Sequence, residues 1–289
     1  MKIAVVTDST AYLNKEQVEK YNIRVVPIPF IIDDKVYNEG IDITTEEFYE
    51  KLRTCEKFPT TSQPPVGELV ELYESLADEG YDTVISIHLA GTISGFVRTL
   101  ETTVKDAVSD RINLIPYDSK ITVLLMGYLA IEASRMAQNG ADLDDILKRL
   151  DHVRDTIDEI FIVDDLQNLV RGGRLSNASA FIGSVLRIKP LLTFDDKSDK
   201  IVAFEKVRSS KRALKRAEDL FDERIKGMDY PLRLIIFHGN DEAAALAWRD
   251  KLAKNHPDCP IDISYFGPVI GTHLGEKALA LGWMEDIYK

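Results

Sequence analysis

Cysteine is scarce in this chain: of 289 residues only Cys55 and Cys259 carry a thiol. They are far apart and neither has a second thiol nearby, which excludes a Cys-x-x-Cys zinc or redox site and points to a reducing compartment. Long apolar runs are also missing. Residues 25–32 form one of the strongest, but Pro27 and Pro29 interrupt it and it falls well short of the ~18 residues a membrane span needs. No Gly-x-Gly-x-x-Gly or Walker sequence is present, so a nucleotide loop is not legible. Basic residues are outnumbered, 36 Lys and Arg against 48 Asp and Glu, for a net charge of −12. That balance argues against nucleic acid as a partner, because phosphate neutralisation requires clustered cations. The opening residues run straight into a strand-like segment without the layout of a signal peptide, so the expectation is a cytoplasmic protein.

What is present is an ordinary globular composition, 45% hydrophobic and 29% charged, in a chain long enough for two cores. In the first half, the apolar run at 3–6 and the segment 83–88 read as buried strands and 112–117 as a further strand. Each leads through small polar residues into a helical stretch. Predicted helices cover about 15–21 with Asn14 as cap, 45–57 with a Thr44/Glu47 capping box, 66–79, 121–138 and 143–154 with Asp142 as cap. This alternation predicts a doubly wound, mostly parallel α/β sheet over residues 1–154. Residues 155–289 change texture, with a strand at 160–163, a short helix ending on Gly172-Gly173 and an apolar helix at 178–186. A hairpin (191–194 with 201–204), helices at 209–225 and 242–254 and strands at 232–237 and 261–266 complete the half. A second α/β domain is expected here, a mixed sheet with helices on one face.

Ligands of open α/β sheets bind beyond the carboxyl ends of the strands. Three such ends carry small polar groups: Asp8-Ser9-Thr10, the 91–95 turn with Ser94, and Asp118-Ser119. The stiff segment Pro59-Thr60-Thr61-Ser62-Gln63-Pro64 adds Thr61 and Ser62. Singly, each of these residues reads as a helix cap; together they read as a hydroxyl-rich rim able to hold an anion or a carbonyl oxygen. His273 follows a strand end and a Gly/Pro turn and is placed to open a helix, either capping it or donating to an anion. Arg171-Gly172-Gly173-Arg174 fits a helix C-terminus better than a phosphate loop. The basic residues from Lys206 to Arg216 fit a solvated helix face or, less well, a docking surface. The acid pairs Asp33-Asp34, Asp164-Asp165 and Asp195-Asp196 lack metal-ligand spacing and fit turns.

In order along the chain, Thr7-Asp8-Ser9-Thr10, Thr61-Ser62-Gln63-Pro64, Ser94-Gly95, Gly172-Gly173-Arg174, Ile188-Lys189-Pro190, Lys206-Val207-Arg208 and Gly267-Pro268-Val269-Ile270 with His273 resemble the DegV-like proteins over essentially the whole length. The set departs from the usual pattern at Phe96 and in the turn Gly275-Glu276-Lys277. The resemblance implies a non-catalytic carrier, without metal or other cofactor, that binds a long-chain fatty acid between its two α/β domains. It implies that Thr61 and Ser94 hydrogen-bond the carboxylate, with Ser62, His273 and Arg174 in support. It also implies a partner, the catalytic subunit of a fatty acid kinase, and neither nucleic acid nor stable membrane insertion. Residues 25–30 and the predicted helix 178–186 are the expected tunnel walls. The alternative is a serine esterase or thioesterase with Ser94 as nucleophile, His273 as base and Asp8 or Asp118 as orienting acid. That reading lacks the Gly-x-Ser-x-Gly elbow, since Ser94 stands in Gly91-Thr92-Ile93-Ser94-Gly95. A kinase or phosphatase is the third reading, and the missing nucleotide loop counts against it.

Overall fold

The computed structural model describes residues 1–181 and 188–289. The chain divides into two compact units, Met1–Thr44 with Glu56–Asp155 and Thr45–Cys55 with Thr156–Lys289. Sequence order puts residues 45–55 in the first half, yet their packing puts them in the second unit. There the Tyr49 hydroxyl is buried and donates to the Phe266 carbonyl at 2.8 Å, while Arg53 forks onto both carboxylate oxygens of Glu276.

The first unit holds β1 (Ile3–Asp8), β2 (Ile23–Val26), β3 (Pro29–Ile32), β4 (Lys35–Asn38), β5 (Thr60–Thr61), β6 (Thr83–His88) and β7 (Asn113–Asp118). Strands β2-β1-β6-β7 form a parallel sheet in that order. β6 is buried along its whole length, with Val84, Ile85 and Ile87 in the core and the polar Thr83, Ser86 and His88 buried beside them. Pro116 lies in β7, an edge strand, where a missing N–H costs no ladder bond. The apolar run 25–32 does not form one strand. Pro27 divides it, so that β2 pairs with β1 while β3 joins β4 and β5 in a small antiparallel sheet. β2 and β6 flank β1 on opposite sides, which makes the carboxyl edge of β1 and β6 the switch point where a crevice opens in such sheets.

The second unit holds β8 (Asp158–Ile162), β9 (Lys189–Phe194), β10 (Ile201–Val207), β11 (Leu232–His238), β12 (Ile261–Tyr265) and β13 (Leu279–Glu285), in the mixed order β10-β9-β8-β13-β11-β12. The predicted hairpin is β9 and β10, with a bulge between Ala203 and Glu205. β13 is absent from the sequence reading, although it sits mid-sheet between β8 and β11 with Trp283 fully buried. Helices Ser210–Arg224 and Glu242–Asn255 set Ala213, Ala217, Phe221 and Trp248 against Ile160, Leu234 and Trp283, forming one core. Glu218, buried within it, accepts from Trp248 Nε1 at 3.0 Å and from Lys251 Nζ, so the carboxylate is compensated. Of the apolar helix predicted at 178–186, the turn Ala178–Phe181 is helical and the remainder lies outside the described residues. Among the described residues no helix is long and apolar enough to cross a membrane.

Candidate functional site

The Pro59–Pro64 segment is not a helix cap. The helix Val66–Asp78 begins on Pro65, which offers no side-chain cap. Thr60 and Thr61 instead form β5, with Thr61 opposite Phe30, and Ser62 N donates to the Pro29 carbonyl at 3.0 Å. Strand pairing therefore fixes the backbone of the hydroxyl segment, and the hydroxyls are not consumed in starting the helix. Thr61 is partly buried and Ser62 exposed.

Ser94 lies in the turn that leaves β6. Its N–H donates to the Ala90 carbonyl at 3.1 Å and its Oγ accepts from Phe96 N at 3.2 Å. The helix Phe96–Thr99 has Gly95 at its N-cap, without a side-chain cap, so the Ser94 hydroxyl holds the first helical N–H from one residue further out and is not the cap that the local reading expects. Accepting that bond leaves its own proton available to donate. Neighbouring strand ends tie the turn down. Ala90 N donates to the Ile121 carbonyl at 2.8 Å, and Gly91 N to Asp118 at 3.1 and 3.2 Å.

The loops that carry Thr61 and Ser94 meet. Gln63 Oε1 accepts from Thr99 Oγ1 at 2.6 Å, and its amide lies over Gly95 so closely that a Cβ there would stand 2.5 Å from Nε2. Gln63, which enters the sequence reading only as part of its motif, joins the two candidate loops. The signal was a glycine immediately after the candidate serine, which allows another chain to approach.

His273 and Arg174 belong to the second unit, with Thr61 and Ser94 in the first. His273 does not open a helix. Proline is tolerated in the first turn, so the helix starts at Pro268 and runs Pro268–Leu274, which puts His273 in its last turn. Burial, and then the nearby Arg174 charge, hold its imidazole down to about 4, so it is neutral at physiological pH and a weak base. Gly172 makes this arrangement possible, because a Cβ there would lie 2.5 Å from His273 Nδ1. Arg174 is partly buried; burial lowers its guanidinium from the ordinary value, and its Nη1 donates to the Gly172 carbonyl. The glycine pair does end a helix, Gln167–Arg171, with Gly173 left-handed at φ 70°.

Both acids named for the esterase reading are engaged elsewhere. Asp8 accepts from Thr10 N (3.0 Å), Thr10 Oγ1 (2.6 Å) and Leu89 N (3.2 Å) and pairs with His88 Nδ1 at 2.9 Å. Asp118 accepts from Gly91 N and from Lys120 N. Neither acid is hydrogen-bonded to His273, the base that the hydrolase reading names. Among the described residues no three His, Cys, Asp or Glu side chains converge as a metal site would need.

Fold and loops together define an α/β protein with a parallel-sheet unit and a mixed-sheet unit, with Ser94 beyond the carboxyl end of β6 in the parallel sheet and Thr61 in the small antiparallel sheet of the same unit. Residues 2–286 match the family model described as "Uncharacterised protein, DegV family". A DegV domain-containing protein of Listeria innocua is 47% identical over 282 residues, covering 98% of each chain. The crystal structure of DegV from Bacillus subtilis, described as a fatty acid binding protein, superposes with a TM-score of 0.89 at 44% identity, covering 99% of this chain and 100% of that one. A fatty acid binding DegV family protein from Streptococcus agalactiae gives 0.90 at 37% identity, covering 99% of each. This chain belongs to the DegV family.

Proposed function

We propose that the protein binds a long-chain fatty acid, with Thr61 and Ser94 hydrogen-bonding the carboxylate, and presents it to the catalytic subunit of a fatty acid kinase. What carries the reading is the pairing of two facts. Relatives covering the whole chain, such as the Bacillus subtilis protein, are described as fatty acid binding, and the two hydroxyl loops here are clasped through Gln63. The energetics suit a carrier. About 14 methylenes at ~0.8 kcal/mol each give roughly 11 kcal/mol of gross burial. Hydrogen bonds to the charged head group, ~1.5–3 kcal/mol each, are largely offset by its desolvation. The tail then sets affinity and the hydroxyls set orientation, so the carboxylate is the end offered to a second protein.

Organic extraction of the purified protein followed by mass spectrometry should recover a fatty acid. Protein that is empty and takes up no added hexadecanoate would refute the reading. Thr61→Val is isosteric, keeps the β5 pairing and should weaken hexadecanoate binding about tenfold, the weight of one charge-assisted hydrogen bond. The same assay on Ser62→Ala, His273→Gln and Arg174→Gln tests the supporting roles; unchanged affinity removes a residue from the site.

A further inference from the structure

A continuous polar chain runs through the interior of the first unit and ends beneath Ser94. The Tyr73 hydroxyl lies 2.7 Å from Ser86 Oγ, Ser86 Oγ lies 2.7 Å from His88 Nε2, and His88 Nδ1 lies 2.9 Å from Asp8 Oδ2. All four side chains are fully buried, so the Ser-His-Asp order is no catalytic triad: nothing can reach the serine. One direction of donation satisfies the chain, from Tyr73 to Ser86 to His88 Nε2, leaving Nδ1–H for Asp8. Burial pushes the Tyr73 phenol up, which keeps it a donor. Asp8 also receives the N–H of Leu89, the first residue beyond β6. The His88 ring meets the Phe96 ring at 4.1 Å between centroids, and Phe96 N is the donor to Ser94 Oγ. Thr122 Oγ1 donates to Thr10 Oγ1 at 3.0 Å and Thr10 to Asp8, so the loop after β7 hangs on the same carboxylate.

We propose that Asp8, His88 and Phe96 are positioning residues that hold the Ser94 hydroxyl for head-group recognition without touching the ligand. This rests on the carboxylate role given to Ser94 above. The readout is head-group preference, the ratio of hexadecanoate to hexadecan-1-ol affinity, measured by equilibrium dialysis on the delipidated full-length protein. Ser94→Ala should lower that ratio about tenfold. Asp8→Asn keeps the shape but puts an NH2 where an acceptor is needed, and should lower the ratio about threefold or more with little loss of alcohol binding. Phe96→Leu, a milder change, cuts only the ring contact and keeps the test open should Asp8→Asn fail to fold. In a Ser94→Ala background neither substitution should lower the ratio further, because residues acting through one hydroxyl do not add.

If Ser94→Ala lowers the ratio while Asp8→Asn and Phe96→Leu leave it unchanged, this inference falls alone. It falls equally if their effects persist in full without Ser94, or if acid and alcohol binding decline together, since either marks general structural damage. A wild-type protein without acid preference, or a Ser94→Ala variant that keeps it, overturns the carboxylate reading and this inference with it.

Discussion

The first unit and the second differ in how they hold buried carboxyl and imidazole groups. In the first unit the buried Asp8 carboxylate takes part in four hydrogen bonds, to Thr10 N, Thr10 Oγ1, His88 Nδ1 and Leu89 N, from β6 and the loops beyond β1 and β6. The second unit instead leaves titrating groups in costly environments. Burial, reinforced by Asp158, pushes Glu159 up to about 8, burial pushes Asp158 up to about 6, and burial with Arg174 holds His273 down to about 4. A saturated network fixes geometry, whereas desolvated titratable groups make stability depend on pH. The contrast can be tested at its strongest point first.

That point is pH. Glu159 titrates near 8 when folded against an ordinary 4.5, so the folded state holds the extra proton between those values. Its contribution to stability is therefore complete below about 4.5 and is lost as pH rises toward 8. At ~1.4 kcal/mol per pKa unit this is on the order of a few kcal/mol. His273 works the other way, with stability lost as pH falls from its ordinary 6.5 toward about 4. Both tryptophans, Trp248 and Trp283, lie in the second unit's core, so fluorescence-monitored denaturation reads this unit. Glu159→Gln should abolish the decline between pH 6.5 and 8, where neither His273 nor Asp158 still titrates, and below 6.5 should leave only the opposed slopes of those two groups. A variant that declines like the wild type would remove Glu159 from the account.

Two glycine substitutions come next. Gly172→Ala forces a methyl to within 2.5 Å of His273 Nδ1 and 3.1 Å of the Asn168 carbonyl, a ring and a backbone with little room to yield. It should cost ~1–3 kcal/mol, measured as a shifted denaturation midpoint. Gly95→Ala meets only the far end of Gln63, which can swing away, so stability should fall by less than ~1 kcal/mol. Its effect should appear in hexadecanoate binding instead, because the clasp between the two hydroxyl loops opens. Equal stability losses in the two variants would erase the distinction between the units.

Much of this fold was legible because its signals are local. Parallel strands are marked by short apolar stretches, and residues 3–6 of β1 and Val84-Ile85 of β6 supply them; Asn14 with Gln17 forms a capping box that its residue types announce. β4 and β5 were not legible, one with two exposed residues of its four and the other only two residues long, since such strands exist only through pairing with β3. β13 was overlooked although it is the central partner of β8 and β11, because Ala280 and Gly282 dilute the β signal. The helix Thr45–Thr54 carries no mark of the unit it packs with. For the proposed site, Thr61 and Ser94 stand out as hydroxyls by residue type and position, and the pairing of the two on a carboxylate came only from the resemblance. Gln63, His88 and Phe96 do not stand out, since their significance lies in what they touch across the sequence.

The amino-acid sequence by itself determined the periodicities, the caps, the proline break at Pro27 and the polar residues at the strand ends, because each depends on neighbours a few positions away. Only the tertiary structure decided that Thr61 pairs with Phe30 and does not start a helix, that His273 ends its helix, and that Asp8 serves His88. Those outcomes depend on which buried donors and acceptors find one another once distant strands lie side by side. A buried polar group must be paired wherever its partner lies in the chain, and sequence distance carries no information about that choice.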